Sequence, residues 1–158
     1  MIVNLKSKSE LSGLFIVFEG STNIETPGIY GISHYLEHTI CYFFKKYRGD
    51  FIKDSIEWNA TTDLNNITFY FIGLEEHLSK YRKGILDLMF DFNVTKDRFE
   101  TERNIILQEY TDTFNNQSQS HQLNLFRKLF GSFDAVGLKK DIETFKMIDA
   151  MNFYEKQF

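Results

Sequence analysis

The sequence predicts an α+β fold, a mostly antiparallel sheet packed against several helices, and three observations carry that prediction. "EWNATT" (57–62) and "NITFYFIGL" (66–74) are rich in β-branched and aromatic residues and flank the turn-forming "DLNN", so they read as paired strands. Beyond residue 74 the apolar residues recur at helical spacing almost to the C-terminus. A single proline, Pro27, with no internal repeat and no low-complexity run, marks no linker, so residues 1–158 are read as one domain.

Taken in order, "SGLFIVFEGS" (12–21) reads as a strand and "TNIETPG" (22–28) as the loop after it. A buried helix is expected from about Ile29 to Lys46, followed by a polar stretch leading to the paired strands. "EEHLSKYRKGILDLMFDF" repeats its apolar residues at Leu78, Tyr81, Ile85, Leu88 and Phe92, as an amphipathic helix does. Thr95 is placed to cap "KDRFETERNIILQEYTDTF". "SQSHQLNLFRKLFG" is a further amphipathic helix with Gly131 as its C-terminal stop, and "KKDIETFKMIDAMNFYEKQF" supplies one or two more.

Composition is that of a globular protein, with 42% hydrophobic and 25% charged residues. No run approaches the 18 apolar residues of a membrane span, and the N-terminus lacks the pattern of a secretory signal. Cys41 is the only cysteine, which excludes an internal disulfide and suggests a reducing, cytoplasmic setting. A formal charge of -4 without a basic cluster gives nucleic acid no electrostatic footprint. The 17 phenylalanines are read as compositional bias rather than a docking surface, because Asn and Lys are plentiful too.

The segment "GISHYLEHTICYFF" (31–44) asks to be buried yet holds three titratable groups. On a helix His34 and His38 are four residues apart and share a face, so their rings can converge on a point about 2 Å from each, as zinc requires. Glu37 lies at the edge of that face, within reach of water beside a metal. The pattern H-x-x-E-H is the inverted form of the helical zinc-protease motif, and chance would produce fewer than about 0.01 copies in a chain of this composition. Buried charges are normally paired or metal-bound, which favours a metal over core packing.

Two histidines leave zinc one protein ligand short of the usual three. "FETERNIILQEYTDTF" offers Glu102 and Glu109, two helical turns apart and sharing a stripe with Ile105, Ile106 and Thr113, so both carboxylates are expected on the apolar face. Cys41 lies one turn beyond His38 and is read as a core cysteine rather than a ligand. His77 and His121 have no metal-like spacing and receive no role.

With these residues assembled, the chain resembles the pitrilysin and insulinase family of zinc metallopeptidases, which includes the mitochondrial processing peptidases. "GLFIVFEGSTNIETPGIYGISHYLEH" resembles the family's strand, its G-S-x-x-E loop and its G-x-x-H-x-x-E-H helix. "NATT" resembles N-A-x-T, "FETERNIILQEY" resembles F-x-x-E-R-x-V-I-x-x-E-I, and the C-terminal stretch resembles the family's F-Y-x-x-x-Y ending. The resemblance implies His34, His38 and Glu109 as ligands of one zinc ion, Glu37 as general base and Glu102 as the carboxylate that orients a ligand. It further implies that Asn59 and Ala60 pair with the substrate backbone along a strand edge.

Two departures accompany it. The stretch between His38 and Asn59 is shorter than the family pattern and lacks the Gly-Gly before the N-A strand. The family's domains also continue beyond the point corresponding to Phe158, so this is expected to be one C-terminally shortened domain without the final strand or strands and without the second half. A zinc endopeptidase cleaving extended peptides is the leading expectation, with a second copy or another subunit supplying the missing half. A non-catalytic peptide-binding or assembly protein is the rival, and a structural zinc domain using Cys41 is the third reading.

Overall fold

The computed structural model describes residues 2–6, 10–131 and 134–157. Four strands, β1 (Ile2–Lys6), β2 (Leu11–Glu19), β3 (Glu57–Thr62) and β4 (Asn66–Leu74), form a sheet in the order β1-β2-β4-β3 with every neighbouring pair antiparallel. Against it lie α1 (Ile32–Phe44), α2 (Arg48–Lys53), α3 (Glu75–Met89), α4 (Lys96–Asn115), α5 (Gln117–Phe130), α6 (Lys139–Thr144) and α7 (Met147–Gln157). The expected α+β class is what the chain adopts, including the β3–β4 hairpin at its expected bounds.

The register explains which face of the sheet is covered. Leu14 pairs with Phe71, Ile16 with Phe69 and Phe18 with Ile67, so one face presents a continuous apolar surface. Ile40 and Phe44 of α1 pack on that surface together with Leu78, Ile85 and Met89 of α3. The N-terminal half of α1, with Ile32, Tyr35 and Leu36, packs against Phe99 and Ile106 of α4 and against Ile142, Phe145, Ala150 and Phe153. Helix α1 therefore contributes successive turns to both apolar clusters, and His34, Glu37 and His38 fall on its less buried side. Phe18, Phe44, Phe51, Phe69, Phe71, Phe99, Phe145 and Phe153 are all buried, which puts much of the aromatic enrichment in the core.

Several elements differ from expectation. β1 is an additional edge strand, and "IVNLK" is too short to announce itself before β2 is there to pair with it. Helix α1 starts at Ile32, later than expected, because Gly31 sits outside it at φ +99. The supposed polar stretch is a 3-10 turn, Lys45–Tyr47, followed by α2, whose Phe51 is an apolar anchor. Helix α3 stops at Met89, short of Phe92. Thr95 Oγ1 accepts from the Arg98 N–H at 3.3 Å, and Gly131 at φ +86 follows α5, as the capping residues predict.

Candidate metal centre

Helix α1 is fixed at its N-terminus before any titratable residue is reached. The Glu25 carboxylate accepts from the Gly31 N–H at 2.8 Å and from the Ser33 N–H at 2.8 Å. Asp141 Oδ2 accepts from Gly28 and Tyr30 N–H at 2.9 and 3.1 Å, closing the turn that leads into the helix. The backbones of Gly31 and Gly137 meet here, and a Cβ on Gly137 would lie 2.5 Å from the Gly31 Cα, so only glycine fits. Glu25 is 4% exposed, and burial pushes its carboxyl up to about 7 against the pull of the two N–H donors.

On the less buried side of α1, the His34 and His38 rings lie edge to face with centroids 4.6 Å apart. Both Nε2 atoms face Oε2 of Glu109 on α4, at 3.6 Å from His34 and 3.4 Å from His38. These separations are long for hydrogen bonds. They match the spacing of about 3.4 Å between ligand atoms around a tetrahedral zinc with bonds of about 2.0–2.1 Å. His34, His38 and Glu109 are the set of three metal-capable side chains whose donor atoms converge within 4.8 Å of one another among the described residues. Burial, with His38 as a lesser contributor, holds the His34 ring near 3, so the imidazole is neutral and its lone pair free at ordinary pH. The donor set thus fits zinc in type, and the two histidine–carboxylate separations fit its spacing.

Glu102 is 2% exposed, whereas Glu109 is 46% exposed at its side chain, so only the first of the two carboxylates lies on the apolar face. Past Ile106, Leu107 and Tyr110 keep α4 against the core, while Gln108, Glu109 and Asp112 are all exposed. Glu102 Oε2 stands 3.7 Å from His38 Nδ1, on the side of that ring away from Glu109. Its charge is balanced by Arg98, one turn back on α4, and the Arg98 guanidinium stacks 3.4 Å over the Tyr42 ring. The sequence reading passed over Arg98, although its i,i+4 spacing from a buried glutamate was the available signal.

Glu37 points past the histidines toward the sheet, where Thr62 Oγ1 donates to its Oε2 at 2.5 Å. Burial raises the Glu37 carboxyl above the usual carboxylate range, opposed by the Thr62 hydrogen bond and by His38. Thr62 is the last residue of β3 and was not singled out from the sequence. β3 pairs only with β4 among the described residues, leaving its outer edge open beside the centre. Hydrogen-bonded pairs alternate along an antiparallel ladder. Since Asp63 N–H bonds the Asn66 carbonyl, the inward positions are Thr61, Asn59 and Glu57, and the backbone groups of Trp58, Ala60 and Thr62 face outward. Asn59 Oδ1 accepts from the outward Ala60 N–H at 2.9 Å.

Cys41 lines a cavity of about 240 Å³ with Glu37, His38, Trp58, Glu102 and Ile105. Burial pushes its thiol up to about 12, and it is outside the convergent donor set. A larger groove of about 570 Å³ runs between Leu64 at the hairpin tip, Thr113 one turn beyond Glu109, and Leu123 and Phe126 of α5. Among the described residues, no helix is long and apolar enough to cross a membrane.

Known proteins give the fold a context. A protease from Helicobacter pylori superposes with a TM-score of 0.83 at 18% identity, over 98% of this chain and 42% of that one. The periplasmic protease PqqL from Escherichia coli gives 0.80 at 13% identity, over 99% of this chain and 20% of that one. The ferredoxin protease FusC, solved in complex with Arabidopsis ferredoxin, gives 0.74 at 12% identity, over 100% of this chain and 21% of that one. No curated protein matches the sequence. The chain thus spans less than half the length of these three neighbours. The family model for insulinase, peptidase family M16, matches residues 2–135, and the chain belongs to that family.

Proposed function

We propose that this chain is the zinc-binding domain of an endopeptidase that hydrolyses extended peptides. The convergence of His34 and His38 Nε2 on Glu109 Oε2, at 3.6 and 3.4 Å, carries the reading. His34, His38 and Glu109 would hold one zinc ion, and Glu102 would orient His38 through Nδ1. Zinc held there would supply Lewis-acid activation of water and of the scissile carbonyl.

The protein's own groups do the rest. Thr62 occupies Oε2 of Glu37, so Oε1 is the oxygen left to take a proton from the attacking water and return it to the departing amine. The raised carboxyl makes Glu37 a stronger base than an exposed glutamate. An extended peptide would pair with the outward groups of Trp58, Ala60 and Thr62, replacing the Asn59 side chain at the Ala60 N–H. A second copy, another subunit or a further domain would complete the enclosure around the peptide, in keeping with the 42% and 20% shares of the neighbouring chains.

Zinc content, assembled mass and cleavage of a mixed peptide pool, measured on one preparation, test the proposal. Stoichiometric zinc with chelator-sensitive cleavage, alone or with a partner added, is expected. A zinc-free protein that cleaves equally well in chelator would overturn it.

A further inference from the structure

A buried carboxyl beside the start of α1 stands outside the proposed chemistry. Glu25 lies in the loop between β2 and α1, is 4% exposed, and spends both carboxylate oxygens on Gly31 and Ser33 N–H. The negative charge of Asp134 adds to burial in acting against its ionisation. A neutral cap such as Ser or Asn satisfies one donor at far lower desolvation cost. What the carboxylate adds is a two-point grip: two fixed oxygens hold two N–H groups, the second of them on the residue that precedes His34.

We propose that Glu25 is a positioning residue for the metal centre: its two-point grip sets the rotation of α1 about its own axis and thereby the placement of His34 and His38 opposite Glu109. The inference rests on the metal-centre reading. The geometry shows why the grip matters. Ring nitrogens stand about 6 Å from a helix axis, so a rotation of about 10° moves them about 1 Å, several times the tolerance of about 0.2 Å on a zinc bond. The two apolar clusters that α1 joins hold it in place, but apolar packing is not directional and fixes rotation less sharply than two aligned hydrogen bonds.

The test uses Glu25→Gln, which keeps shape but turns one acceptor into a donor facing an N–H, and Glu25→Asp, which keeps both acceptors on a shorter stem. Zinc affinity is measured by competition with a chromophoric chelator, the visible spectrum of the cobalt-substituted protein is recorded, and metal-free melting is followed at pH 8. Expected for Glu25→Gln are zinc binding weaker by about 10–100-fold, altered cobalt bands, and a metal-free melting temperature within about 3 °C of wild type. Glu25→Asp should fall between the two in affinity and recover the wild-type cobalt bands. A purely structural cap predicts the reverse, a large loss of metal-free stability with unchanged affinity and spectrum, and that result overturns the proposal. Wild type binding neither metal overturns the metal-centre reading and this role with it. Wild type binding both, matched by Glu25→Gln in affinity and spectrum, overturns the positioning role alone.

Discussion

Thr62 Oγ1 donates a 2.5 Å hydrogen bond to Glu37 Oε2, joining the open edge strand β3 to the helix that carries the histidines. The bond lies where two proposed tasks meet, peptide pairing and proton transfer. It also counters the burial that raises the Glu37 carboxyl. Thr62→Val keeps the shape of the side chain and removes the donor, so the carboxyl should rise further. A base must be deprotonated to act, so the acid limb of the pH profile of kcat/KM should move to higher pH. A hydrogen bond to a charged group is worth about 1.5–3 kcal/mol, so cleavage at pH 6 should fall about tenfold or more and recover toward pH 9. An acid limb at the wild-type position would remove Thr62 from the proton path.

Zinc retention separates the proposed ligands from their neighbours. His34→Ala and Glu109→Ala each leave two protein donors, too few to hold a catalytic zinc, and should lose the metal on dialysis. Cys41→Ser should keep full zinc, because the thiol is outside the convergent set. Metal analysis of the three purified variants decides, and zinc lost from Cys41→Ser but kept in His34→Ala would exchange the assignments.

How much of this could be read from the sequence depends on how local each feature is. The β3–β4 hairpin, the Thr95 cap and the H-x-x-E-H spacing depend on residues within a few positions of each other, and each is present as expected. The convergence of Glu109 with His34 joins residues 75 positions apart, and α-helical periodicity alone gave its direction only roughly: it put Glu109 on the apolar face, yet the Glu109 side chain is 46% exposed. Glu25 and Thr62 fell within the quoted loop and strand motifs but received no role, and Arg98 and Asp141 were legible only as residue types. Their roles come from contacts across the fold, as when Asp141 reaches back 113 residues to the Gly28 N–H. β1 and α2 were missed because each is a short element stabilised by its neighbours rather than by its own pattern.

The Glu25 carboxyl also makes a prediction about stability in the metal-free state. Its value is raised from 4.5 to about 7 in the fold. Between these values the folded chain holds a proton that the unfolded chain has lost, so the contribution is present below pH 4.5 and is lost as pH rises through 7. The rise corresponds to about 3 kcal/mol. The amide of Glu25→Gln does not titrate in this range. The difference in unfolding free energy, wild type minus Glu25→Gln, should therefore fall by about 3 kcal/mol between pH 4.5 and pH 8 in urea titrations with chelator present. His34, held near 3, acts in the opposite sense but is common to both proteins and cancels. A difference independent of pH would mean that the buried carboxyl is not what titrates.

Glu37→Gln separates a peptidase from a peptide-binding protein with the same fold. The amide matches the carboxylate in size and can still accept from Thr62, so helix α1 and the three proposed ligands should be undisturbed. Zinc content should equal that of wild type. The amide cannot take a proton, and loss of a general base typically costs about 10²–10⁴-fold in rate. Peptide binding rests on the outward backbone of β3 and should persist, with a Kd close to that of wild type. The assay is cleavage and binding of a mixed peptide pool by both proteins, with zinc measured in each and with any partner subunit added back. Cleavage by wild type alone, with binding by both, is the expected result. Binding by both with cleavage by neither, partner included, would make the chain a peptide-binding or assembly protein that uses the open edge of β3 without the proton transfer.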